Sequence, residues 1–154
     1  MTDLRFEIYI AGTPEQVWDV LVKPDFVRQI YFGSVIESEF KIGSDLAYIG
    51  PGKGGPATVH IFGKILEWEP AKIFTHSCKV GEAYGEEHKK FETRVSYQLE
   101  PMGNVTKLTV IQDCWQEGNP AYENTKSGWP LMLSSMKSLV ETGKPLDFTA
   151  QQHA

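Results

Sequence analysis

Residues 34–115 hold six consecutive segments that alternate apolar and polar side chains, and one long amphipathic helix follows them. A period of two places successive side chains on opposite faces, so each segment reads as a half-buried strand. Six strands at short spacing pair as an antiparallel meander, and a first strand from the N-terminus joins it across the chain. Such a sheet has one apolar face. The C-terminal helix is the only long element available to cover it, and a twisted sheet curling around one helix encloses a space between them.

The individual signals agree with that order. Leu4, Phe6, Ile8 and Ile10 share one face of the first strand. Thr13-Pro14-Glu15-Gln16 then carries a Thr N-cap, Pro at the first helical position and Gln three residues after the cap. Val17, Trp18, Leu21 and Val22 form the helix's apolar stripe, and Pro24 ends it. Asp25 is predicted to cap a second short helix over 26–31, closed by Gly33. Strands follow over 35–40, 45–49, 58–69, 73–80, 91–99 and 105–115. The alternation over 58–69 slips near Gly63: Val59 and Ile61 share a face, then Leu66 and Trp68 take the opposite parity, which predicts a bulge at the glycine. Residues 50–56 read as a loop, and the charged stretch 81–90 as a mobile hairpin loop. Trp129, Met132, Leu133, Met136, Leu139 and Val140 line one stripe of the final helix, with Gly143 at its C-terminal cap and Pro145 beyond. The prediction is a single α+β domain over 1–146, of order β-α-α-β-β-β-β-β-β-α, with 147–154 as a flexible tail that has little to anchor it.

Composition narrows the function. Fifteen basic against 20 acidic residues give a net charge of −5, which argues against a basic nucleic-acid face. Two cysteines, Cys78 and Cys114, make neither a disulfide framework nor a zinc spacing. With no signal-peptide pattern and no run of ~20 apolar residues, the expectation is a reduced, cytoplasmic chain without membrane insertion.

Catalytic patterns are weak. Gly50, Gly52 and Gly55 satisfy G-x-G-x-x-G, but Pro56 and a strand follow where phosphate binding needs a helix. Glu37 with Glu39, and Glu67 with Glu69, fit a solvent face. Ser134, Ser135 and Ser138 lack a nucleophile-elbow context. His76, Cys78 and Phe74 share a strand face; they read first as a core histidine beside a small buried hydrophobe, and otherwise as a polar handle in a pocket. His88 and His153 are expected in solvent. No catalytic set, metal site or cofactor is expected.

Eighteen aromatics are the strongest lead. They come from every element that should face inward, where they either fill a core or line a cavity. The candidate lining residues are Tyr31, Phe32, Tyr48, Phe62 and Phe74, together with His76, Tyr97, Trp129, Met132 and Met136.

Three segments carry a resemblance. Thr13-Pro-Glu-Gln-Val-Trp-Asp-Val-Leu, followed by Phe26-Val-Arg-Gln-Ile-Tyr-Phe-Gly33, resembles the opening of the START-like (SRPBCC) superfamily. Gly63-Lys-Ile-Leu-Glu-Trp-Glu-Pro-Ala-Lys-Ile-Phe-Thr-His76 is similar to its middle hairpin. Residues 128–146 are similar to the terminal helix of the AHSA group, homologues of the activator of the ninety-kilodalton heat-shock protein ATPase. The resemblance implies a helix-grip fold: a curved antiparallel sheet gripping a long C-terminal helix over an apolar cavity. Relatives bind lipids, hormones or polyketides, and some catalyse, so it implies no single activity. The expected function is binding of a small apolar or aromatic molecule between sheet and helix. The alternatives are a cyclase- or dehydratase-like enzyme using the same cavity, with His76 paired to Glu37 or Glu39, and a stress-related co-chaperone partnership.

Overall fold

A computed structural model describes residues 1–148. In chain order the elements are β1 (Leu4–Ile10), α1 (Pro14–Val22), α2 (Pro24–Ile30), β2 (Val35–Ser38), β3 (Asp45–Gly52), β4 (Gly55–Glu69), β5 (Ile73–Val80), β6 (Thr93–Met102), β7 (Val105–Asp113) and α3 (Tyr122–Thr142). The seven strands form one antiparallel sheet in the order β1-β7-β6-β5-β4-β3-β2. The curved sheet holds α3 against its inner face, which is the helix-grip architecture.

Local chemistry accounts for the elements. Thr13 Oγ1 accepts from the Gln16 N–H at 3.2 Å while Gln16 Oε1 accepts from the Thr13 N–H at 2.9 Å, a complete capping box at the start of α1. Pro24 does more than end α1. It occupies the first turn of α2 behind Lys23, so Asp25 lies inside that turn and binds Arg28 rather than capping the helix. Phe32 and Gly33 follow with φ of 51° and 87°, and this left-handed pair turns the chain into β2.

β4 departs most from its predicted pattern. It breaks register with β3 at His60 and again between Gly55 and Thr58, and with β5 at Leu66, so bulges reset its alternation. Ile65 is fully buried and Leu66 is exposed, the reverse of the expected parity. Gly63 marks close packing instead of a bulge, because a Cβ there would collide with the Ser77 carbonyl. Residues 50–56 are mostly strand: β3 runs through Gly52 and β4 resumes at Gly55. Residues 82–84 and 86–88 form two short 3₁₀ turns, and Tyr84 is held by a hydrogen bond to His60.

The core lies between sheet and helices. Leu4, Ile10, Leu108 and Val110 from β1 and β7 meet Leu133, Met136 and Leu139 of α3, with Val17, Trp18 and Leu21 of α1 closing one end. The chain beyond α3 is anchored at its start, since the Leu146 N–H donates to Ser135 Oγ at 3.1 Å. His153 lies outside the described residues. Among the described residues no helix is long and apolar enough to cross a membrane.

Candidate functional site

Alternate residues of β5 turn Phe74, His76 and Cys78 to the inner face of the sheet, and the same rule brings in Val95 and Tyr97 from β6 and Gln112 from β7. Facing them, α3 presents Thr125, Gly128, Trp129 and Met132. Thr125 and Gly128 are too small to reach the sheet, and nothing lies within 4 Å of where a Cβ on Gly128 would sit. The result is a cleft of about 250 Å³, closed by Tyr31, Phe32, Tyr48 and Ile61. A dry cavity of about 150 Å³ already accepts benzene. The lining surface is almost wholly apolar and includes no Asp, Glu, Lys or Arg.

A few polar groups interrupt it. The Tyr31 and Tyr97 hydroxyls share a hydrogen bond of 2.6 Å. Tyr48 stacks on Tyr31 with ring centroids 4.8 Å apart, yet its buried hydroxyl has no hydrogen-bond partner among the described residues. Burial pushes Tyr31 up to about 12 and holds Tyr48 and Tyr97 well above the usual phenol range, so all three stay protonated. His76 Nδ1 lies 2.7 Å from the Ser77 carbonyl, which can only accept. The proton therefore sits on Nδ1, and Nε2 is left as a bare acceptor. Burial lowers His76 to about 4, against a smaller opposing effect of the Ser77 carbonyl, so the ring is neutral at pH 7. Burial likewise raises the Cys78 thiol to about 11, which keeps it protonated and unreactive.

The back wall is braced. Trp129 Nε1 donates to Gln112 Oε1 at 2.8 Å, and Gln112 Nε2 donates to Thr93 Oγ1 at 3.0 Å. This relay fixes the Trp129 indole edge-on to Tyr97, with centroids 5.9 Å apart. Behind Gln112, Cys78 and Thr125 lies a second void of about 30 Å³, room for about one water. It is lined by His88, whose buried Nδ1 has no partner among the described residues. His88 is therefore not the solvated loop histidine expected of it; its side chain is 15% exposed.

An α+β fold with a helix-gripping sheet and an apolar cleft sets the context for the comparisons with known proteins. The family described as "Activator of Hsp90 ATPase homolog 1-like protein" matches residues 11–141. The chain belongs to this family. Its solved structures of similar shape include protein MLL2253 from Mesorhizobium loti, with a TM-score of 0.74 and 19% identity over 90% of this chain and 96% of that one. The Aha1 dimer from Colwellia psychrerythraea gives a TM-score of 0.69 and 23% identity over 94% and 99% of the two chains. DynU16, from the dynemicin biosynthetic locus, gives 0.70 and 20% identity over 93% of this chain and 48% of its own. No curated protein sequence matches the chain significantly. Membership in the Activator of Hsp90 ATPase homolog 1-like family fixes the fold, and the site has to be read from its own residues.

Of the predicted lining residues, Tyr31, Phe32, Tyr48, His76, Tyr97, Trp129 and Met132 come together at the cleft. Phe32 stands at its rim, 55% exposed. Three others do not line it. Phe62 follows the inward-facing Ile61, so it points to the opposite face and borders an outer groove with Ala57 and Ala83. Phe74 faces inward but is fully enclosed by Trp18, Trp68, His76 and Tyr97. Met136 lies one turn beyond Met132, where α3 meets the closed part of the core, and is fully buried. The pairing of His76 with Glu37 or Glu39 is not formed, because both glutamates are exposed. Gln112 is the main residue that the sequence reading missed. Its signal was available: it shares parity with Leu108 and Val110, and a glutamine on an apolar strand face needs a partner.

Proposed function

We propose that this protein binds a small, largely apolar or aromatic molecule in the cleft between the sheet and α3. The observation that carries the reading is Tyr48: its buried hydroxyl has no partner and stands in the wall of an apolar space of about 250 Å³. Leaving such a group unpaired costs about 1–3 kcal/mol, a cost that a ligand oxygen or nitrogen would remove. The volume suits one substituted ring or a fused pair, and the braced Trp129 and the Tyr31–Tyr97 pair give such a ligand rigid walls. That the family match covers most of the chain fits this reading without naming a ligand.

Native mass spectrometry of the protein purified from its own host tests it. The expected result is a bound small molecule that is retained under gentle ionisation and released on denaturation. Trp129 supplies a second readout, because a ligand entering the cleft contacts its indole and changes its fluorescence. A protein that carries no molecule, and whose fluorescence no small aromatic alters up to millimolar concentration, would overturn the proposal.

A further inference from the structure

The polar groups of the cleft are unbalanced, and the imbalance describes the ligand. Tyr31, Tyr48 and Tyr97 bring three O–H donors, yet they make one hydrogen bond among themselves, between Tyr31 and Tyr97. One of those two hydroxyls donates to the other, and the second O–H makes no hydrogen bond of ordinary length, with the Tyr48 hydroxyl beside the pair. The Tyr48 hydrogen has none either. Two O–H groups are therefore available, and His76 Nε2 is available as an acceptor. The His76 ring centroid lies 6.1 Å from that of Tyr48 and 6.4 Å from that of Tyr97, so the three rings border one patch of the cleft wall.

We infer that the cleft selects an uncharged phenol, one hydroxyl of which accepts from the tyrosine O–H groups and donates to His76 Nε2. This rests on the ligand-binding reading above and goes on to name the chemical class. A phenolic O–H is both donor and acceptor, so a single group answers both sides of the patch. A carboxylate could accept but not donate, and it would enter an apolar cleft with no Lys or Arg to pair with it. A quaternary ammonium would need open aromatic faces. Here one face of each tyrosine is already covered: Tyr31 lies against Tyr48 at 4.8 Å and a 30° tilt, and Tyr97 stacks on Phe74 at 5.6 Å and 26°. The patch is suited to a neutral hydroxyl, with the rest of the ring against Ile61, Val95 and Met132.

Four probes on one skeleton test this at pH 7: 2-naphthol, naphthalene, 2-naphthoate and trimethyl(2-naphthyl)ammonium. Binding to the wild-type protein is followed by Trp fluorescence and calorimetry. 2-Naphthol is expected to bind about tenfold or more tighter than naphthalene, with both ions weaker than 2-naphthol by at least as much. Tyr48→Phe and His76→Leu are each expected to narrow the ratio of 2-naphthol to naphthalene affinity several-fold. If naphthalene binds as tightly as 2-naphthol in the wild-type protein, the phenol inference fails and the ligand-binding reading stands. If 2-naphthoate or the ammonium binds tightest, the inference is overturned in favour of a charged ligand. If no member of the series binds, the phenol inference falls, and the native mass spectrum of the protein from its own host decides the ligand-binding reading separately. The wild-type series decides the matter alone, so the outcome does not depend on either variant folding.

Discussion

The inner face of the sheet has two aromatic regions that meet on β5, and only one of them is full. Toward α1, Trp18 packs edge-on against Trp68 at 5.0 Å, Trp68 against Phe74 at 5.3 Å, and Phe40 against Trp68 at 5.1 Å. Toward the middle of α3, Tyr31, Tyr48, Tyr97 and Trp129 surround open space. The boundary falls between Phe74 and His76, two residues apart on one strand and 5.3 Å from ring to ring. Aromatic content therefore does not decide between core and cleft. What decides is the facing element. α1 drops a tryptophan onto the sheet, whereas α3 offers Thr125 and Gly128 at the matching place.

The sharpest way to break this contrast is truncation on either side of the boundary. Phe74→Ala should destabilise the protein by about 3–5 kcal/mol, since it opens a hole among groups that cannot collapse. Met132→Ala, at the edge of a space that already exists, should cost no more than about 1 kcal/mol. Urea unfolding at constant m-value measures both. Equal losses would mean that the cleft wall is packed as tightly as the core.

The second contrast is conditional on pH. His76 has its pKa lowered by burial to about 4 in the folded protein, against an ordinary value of 6.5. Between those values the unfolded chain binds the proton and the folded chain does not, so folding stability falls as pH drops through the window. The loss should reach about 3 kcal/mol below pH 4 and be absent above pH 6.5. His76→Leu should remove that part of the pH dependence, and the difference between the two stability–pH curves isolates it from the carboxylates. Parallel curves would place the imidazole in water.

A smaller effect separates the two kinds of tyrosine within the cleft. Tyr48→Phe removes an unpaired buried hydroxyl, so the ligand-free protein should gain about 1 kcal/mol. Tyr97→Phe breaks the bond to Tyr31 and should lose about as much. Thermal unfolding of both variants gives the signs directly; a loss at Tyr48 would show that its hydroxyl already has a partner.

These residues also show how far the sequence could be read. The capping box at Thr13, the alternation of β6 and the stripe of α3 are local patterns, and each is present where its residues predict it. β4 was misread at two places, His60 and Leu66, because a bulge is set by the neighbouring strands and leaves little mark on its own strand. The site was legible as a set of inward aromatics. Which of them fill and which stand back was not, since it depends on what crosses above each one. Phe74 and Tyr97 lie on adjacent strands in direct register, yet one is sealed under Trp18 and the other looks into the cleft.

Gly128 gives the smallest and most specific test of that explanation. A glycine inside a helix costs about 0.5–1 kcal/mol relative to alanine, and nothing lies within 4 Å of the position a methyl would take. Gly128→Ala should therefore raise stability by about that amount while making the cleft smaller. If the cleft exists because α3 stands back from the sheet at this residue, the same variant should bind 2-naphthol several-fold more weakly despite its higher melting temperature. Stability and binding would then move in opposite directions from a single methyl group. A variant that is more stable and binds as well as the wild type would show that the space over Tyr97 owes nothing to Gly128.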